Sequence, residues 1–241
     1  MKKQLRATIA TCALVATLAT AESSFRNSLN LGVTLTDGNS ETLLANIAAL
    51  SEAKRDDGNA IRLGIEGSYG ESKIDESKET TVENARGFIN ARTDISPRWF
   101  LAINAASQYD KIADIDYRII LGPAIGGHLV KGEKLAVTTE IGPSYIWEKV
   151  SSETDNFLVL RIAERLTCQL SETAELWQSA EFLPKTEAFD DFLLNAEIGV
   201  SAAMSARTQL RLVLQFSHDS TPGDDIEKND VTLVAGIGIQ L

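Results

Sequence analysis

The segment QLRLVLQF, residues 209–216, decides the fold. Leu210, Leu212, Leu214 and Phe216 stand at every second position, between Gln209, Arg211 and Gln215. The last residues repeat the pattern: Val231, Leu233, Ala235, Ile237, Ile239 and Leu241 share one face. Far upstream, Phe25, Leu29, Leu31, Val33 and Leu35 alternate with Arg26, Ser28, Asn30, Gly32 and Thr34. A period of two is that of a strand with one apolar face and one polar or mixed face.

Reading outward from these segments gives about twelve strands, near residues 25–35, 42–53, 60–71, 81–94, 98–110, 114–129, 133–148, 155–169, 172–183, 189–203, 207–217 and 229–241. Phe88 and Trp177 fall on the polar faces of their strands, so each either points inward or marks a bulge. The links alternate in length. Ser96-Pro97, Lys131-Gly132-Glu133, Ser171-Glu172 and Ser205-Ala206 are short, with Lys54 to Asn59 a longer exception. On the other side fall Ser72 to Thr80, Lys185 to Ala188, His218 to Lys228 and the modest Thr36 to Glu41. Short turns on one side and long loops on the other mark an antiparallel, transmembrane, up-and-down β-barrel. Tyr69, Tyr109, Tyr117, Tyr145, Trp147, Phe157, Phe182, Phe189, Phe192 and Phe216 lie near the long-loop ends and read as an aromatic girdle; Phe25 and Trp99 mark a thinner one opposite.

The start of the chain reads as an export signal. Lys2, Lys3 and Arg6 precede the apolar stretch Ala7 to Leu18, and Ala19-Thr20-Ala21 is an A-x-A cleavage site. This divides the chain into a signal peptide, 1–21, and a barrel, 22–241. An uncleaved anchor is the competing reading, but the stretch falls short of the roughly 18–20 residues a spanning helix needs. Every later apolar run is interrupted by polar residues, so a membrane-embedded mature chain must be a closed barrel. Formal net charge is −11; losing Lys2, Lys3 and Arg6, with no acidic residue beside them, leaves −14. So acidic a protein is a poor partner for nucleic acid. Cys12 lies in the signal, so Cys168 has no intramolecular partner.

Charged residues share the non-lipid face: Arg62, Arg118, Arg161, Arg165 and Arg211, with Glu66, Glu140, Glu148 and Glu197. An Arg or Lys facing lipid at mid-depth costs about 2–4 kcal/mol, so these are expected in the lumen. Arg62, Arg118, Arg161 and Arg211 are expected to pair with inward carboxylates, among them Glu66, Glu140 and Glu197. The lumen is then either a filled Arg–carboxylate lattice or a pore with charged rings. Glu164 shares the parity of Leu158, Leu160, Ile162 and Leu166, and either sits low at the interface or marks a bulge. Pro123 and Pro143, inside neighbouring strands, are read as bulges, with a gate as the weaker alternative. His218-Asp219-Ser220 is too local for a catalytic triad. Asp224, Asp225, Glu227 and Asp230 fit no EF-hand and read as an acidic loop. Neither a zinc spacing nor a phosphate loop is present, so no cofactor and no enzymatic activity are expected.

Taken together, LGVTLTDGNSET (31–42), Gly122-Pro123, EIGPSY (140–145), EFLP (181–184), FLLNAE (192–197), STPG (220–223) and NDVTL (229–233) resemble the salt-induced outer-membrane proteins, domain of unknown function 481. The resemblance implies an outer-membrane location and supplies no catalytic residues. Ending in Leu241 departs from the terminal aromatic typical of outer-membrane barrels. The expected partners are outer-membrane lipid and lipopolysaccharide, the barrel-insertion machinery and small solutes. The expected role is structural or in envelope stress, with a narrow channel; the alternatives are a selective porin and an exported soluble ligand-binding barrel.

Overall fold

A computed structural model describes residues 25–36, 41–55, 58–74, 77–223 and 226–241. The proposed signal peptide, the turn at 37–40, Asp224 and Asp225 lie outside the described residues. Twelve strands follow one another: β1 (Arg26–Thr36), β2 (Glu41–Lys54), β3 (Ala60–Ile74), β4 (Ser77–Asp94), β5 (Trp99–Asp110), β6 (Ile115–Lys131), β7 (Leu135–Val150), β8 (Glu153–Gln169), β9 (Ala174–Pro184), β10 (Phe192–Ala203), β11 (Thr208–Asp219) and β12 (Asn229–Gln240). Each pairs antiparallel with its chain neighbours, and β1 pairs with β12 to close the barrel. An even number of strands returns Phe25 and Leu241 to one rim, here called the lower rim. β2, β4, β6, β8 and β10 end there, and the odd-numbered strands end at the upper rim.

One expected loop is instead strand. Residues 72–74 and 77–80 belong to β3 and β4, which pair to Ile74↔Ser77 after a register shift at Gly70/Glu71. A strand that extends beyond lipid has no alternation to keep, so in sequence it resembles a loop.

The alternation sorts the faces. Leu31, Val33, Leu210, Leu212, Leu214, Leu233 and Ile237 are all exposed on the outer surface. Tyr69, Tyr109, Tyr117, Trp147 and Phe189 are exposed towards the upper rim, and Trp99 towards the lower. Phe157 is not part of that belt: it packs inside the wall, with the Lys185 ammonium 4.0 Å from its ring centre. At the upper rim Tyr109 and Lys111 both hydrogen-bond Glu83, whose carboxylate raises the Lys111 ammonium above its ordinary pKa. Leu212→Arg should cost about 2–4 kcal/mol of folding stability in lipid. Urea titration of vesicle-inserted protein reads this, and a variant as stable as wild type would place this face outside lipid.

Phe88 and Trp177 point inward, and no bulge lies beside either. Each stands directly opposite a glycine on the next strand, as Phe88↔Gly64 and Trp177↔Gly199, and Phe100↔Gly126 follows the same rule. A β-carbon at any of these glycines would overlap the ring, so the ring lies flat on bare backbone. A guanidinium covers each ring: Arg62 over Phe88, Arg92 over Phe100 and Arg211 over Trp177, at 5.0, 5.4 and 4.6 Å from the ring centres. The lumen wall is thus built three times as glycine, aromatic ring and arginine. Phe100 is fully buried.

The prolines do not form bulges. The β6–β7 register is the same at Leu121↔Tyr145 and Ile125↔Ile141, so Pro123 faces Pro143 across the pair. Neither has an N–H to donate, and the ladder lapses between these points. Gly142 fills the gap, because a β-carbon there would strike the Pro123 carbonyl oxygen; Gly122 does the same against Pro143. The hydrogens in their place point at those oxygens, a Cα–H···O contact standing in for the lost bonds. The real shifts in this region lie at Ile115/Tyr117 and His128/Val130.

Candidate functional site, the barrel lumen

Inward positions of every strand converge on the lumen. In its middle, Arg161 on β8 donates from Nη1 to Glu140 Oε2 on β7 (2.7 Å) and from Nε to Glu181 Oε1 on β9 (2.5 Å). Asn104 on β5 donates to Glu140 at 3.1 Å, and Asn90 on β4 bonds Asn104. Asn104 reaches past β6 because that strand presents only Gly122, Ala124 and Gly126 there. The result is a polar belt over β4 to β9. The Arg161 and Glu140 side chains are only 11% and 12% exposed.

Above the belt, Arg118 on β6 bonds Glu148 on β7 (2.5 Å) and Asp219 on β11 (3.0 Å). The order of the strands makes the second bond a crossing of the lumen. Beneath it Ile146, Val159, Leu183 and Leu193 form a buried apolar cluster, joined by Ile120 and Phe157. The upper lumen is therefore narrowed by an apolar layer on its β7–β10 wall under an ionic strut.

The lower lumen is different. Arg62 on β3 bonds Glu52 at 2.6 Å. Arg211 donates to Asn30 at 2.7 Å, not to a carboxylate. Glu197 accepts from Trp177 Nε1 at 2.6 Å and from Gln215 at 3.3 Å. Glu66 lies near Gln215 and within electrostatic reach of Arg62, Arg86 and Glu197. Arg165 and Arg211 each feel Arg62, together with Glu52, Glu175 and Glu197. Among the described residues neither Arg165 nor Arg211 forms an ion pair with a carboxylate. Arginines from three separate walls thus share the lower lumen with Glu52, Glu175 and Glu197.

Of the residues expected in the lumen, Arg161 and Glu140 are brought together directly. Arg118 takes Glu148 and Asp219 instead, Arg62 takes Glu52, and neither Glu66 nor Glu197 receives a direct arginine bond among the described residues. Asn104, Glu181 and Asp219 complete the network without having been singled out for it. Glu181 carried a signal, its parity with Trp177; Asp219 carried none, because its partner lies 101 residues away. His218 bonds Asn229, Asp219 bonds Arg118 and the Ser220 hydroxyl accepts from the Phe192 amide, so these three do not converge.

A closed antiparallel ring, apolar outside and charged within, is a β-barrel of the outer-membrane type. The chain belongs to the family described as protein of unknown function, DUF481, whose model matches residues 29–241. Among solved structures it is similar to the NanC porin (TM-score 0.53, 7% identity, covering 90% of this chain and 100% of that one). It is also similar to the translocator domain of the autotransporter NalP from Neisseria meningitidis (TM-score 0.50, 14% identity, covering 98% and 96%). No curated protein matches it in sequence.

Proposed function

We propose that the protein is an outer-membrane channel of small conductance that favours anionic solutes. The observation that carries this is that Arg165 and Arg211, in the lower lumen with Arg62, form no ion pair with a carboxylate among the described residues. Positive groups from separate walls of a narrow passage attract anions and repel cations. The likeness to a porin barrel supports the same reading at the level of the fold. Export through a cleaved signal peptide belongs to this proposal, and recovery in the soluble periplasmic fraction would sink it.

A second reading, a closed barrel with a structural or envelope-stress role, is favoured by the Arg118 strut and the apolar layer beneath it. Planar-bilayer recordings of refolded protein separate the two. The channel reading expects small currents and a reversal potential shifted towards the anion in a salt gradient. Arg165→Ala with Arg211→Ala should weaken that shift. If wild type is silent and Arg118→Ala raises conductance, the closed barrel is the better description. A large, unselective wild-type conductance defeats both.

A further inference from the structure

Glu164 stands on the outer face of β8, in line with the exposed Leu158 and Ile162. No bulge turns it inward: β7–β8 pairs without a break from Leu135↔Cys168 to Val150↔Glu153, and β8–β9 from Ile162↔Phe182 to Gln169↔Glu175. Nor is it at an interface. It lies six residues below Leu158, the neighbour of Tyr145, and five above the end of β8. At about 3.3 Å per residue and a tilt of about 40°, those spacings are roughly 15 Å and 13 Å of depth. That is near the middle of an apolar band about 25 Å tall.

Gln178, on the outer face of β9, donates one N–H to Glu164 Oε1. Its second N–H and Glu164 Oε2 have no protein partner among the described residues. Residues level with Glu164 on the flanking strands are short: Thr139 on β7, Ala180 on β9 and, beyond it, Ala196 on β10. Carboxyl groups are costly in lipid and mark contacts there, and short side chains let a second surface approach closely.

We propose that this face joins two copies of the chain about a two-fold axis along the membrane normal. The unused donor of Gln178 and the unused acceptor of Glu164 are neighbours of opposite kind, so the pair is self-complementary. A two-fold rotation sets each Gln178 N–H against the other copy's Glu164. Copies inserted in one orientation permit this axis. The inference rests on the membrane reading of the barrel and is independent of what the lumen conducts.

Cysteine crosslinking of the full chain in outer membranes tests it, in a Cys168→Ser background. Ala180→Cys stands beside the axis, and Ala49→Cys on the outer face of β2 is the distant control. The expected result is an oxidised dimer of twice the chain mass from Ala180→Cys and none from Ala49→Cys. Replacing Glu164 and Gln178 by leucine should lower the dimer fraction about tenfold, the loss of about 1.4 kcal/mol. Glu164→Gln, which can still hydrogen-bond, should retain it. Heat-modifiable gel mobility confirms that each variant is folded. A folded Ala180→Cys protein without dimer, equal crosslinking from Ala49→Cys, a product containing a different chain, or indifference to the leucine pair would each overturn the proposal. Failure to sediment with membranes would overturn the membrane reading and the interface with it.

Discussion

Gly142→Val should prevent the barrel from reaching its folded form. A β-carbon at this position lies on the Pro123 carbonyl group and 2.7 Å from Ala124 Cα, all of it backbone. No rotamer change relieves such an overlap, so β6 and β7 must part at the point where their ladder already lacks two N–H donors. Overpacking a core costs about 1–3 kcal/mol when side chains can shift. Here only the wall can shift, and the cost should reach about 3 kcal/mol or more. Refolding into detergent micelles, followed by heat-modifiable mobility and urea titration, reads the effect. Gly67→Ala is the control, because its β-carbon meets one carbonyl oxygen at an ordinary 3.5 Å. A Gly142→Val barrel as stable as the Gly67→Ala barrel would show that the Gly-Pro crossing is not a close approach.

Arg161→Leu should be nearly as damaging for an electrostatic reason. It strands Glu140 and Glu181, two carboxylates that share one guanidinium in a poorly hydrated part of the lumen. Breaking a buried ion pair from one side costs about 3–5 kcal/mol, because the remaining charge keeps its desolvation penalty. Glu140→Gln and Glu181→Gln added to Arg161→Leu remove both charges and keep hydrogen-bonding groups. The triple variant should therefore recover at least half of the loss, a non-additivity expected only of residues acting together. Wild-type stability in the single variant would mean that water, not Arg161, satisfies these carboxylates.

The lipid face was legible because its information is local. Leu210, Leu212 and Leu214 announce their side by spacing alone, and Phe88 and Trp177 announce themselves by breaking it. What escaped the sequence is pairing across strands. Nothing near Phe100 says that Gly126 lies opposite, and nothing near Arg118 says that Asp219 arrives from the far wall. Pro123 and Pro143 each reveal a missing donor, but only the register places the two gaps against one another. Phe157 departs from the expected girdle because an aromatic near a strand end looks the same in sequence whether it faces headgroups or a buried apolar layer. The arginine contacts were legible as a class and not as pairs, since strand stagger decides which carboxylate each one meets.

The join between the first and last strands is short. Among the described residues Ser28↔Gln240 through Leu31↔Ile237 pair there, four positions with one further bond from the Leu241 N–H to the Asn27 carbonyl, whereas β1 meets β2 along eleven. Forming those four contacts brings together residues separated by almost the whole chain, so they carry the greatest loop-closure entropy in the barrel and the least hydrogen bonding to offset it. In form the barrel is a clasped bracelet rather than a forged ring. Loop-closure cost predicts that its circumference assembles hairpin by hairpin, that the clasp fastens last, and that the clasp parts first under denaturant. Once parted, it presents two unpaired strand edges, the form in which a chain accepts another strand.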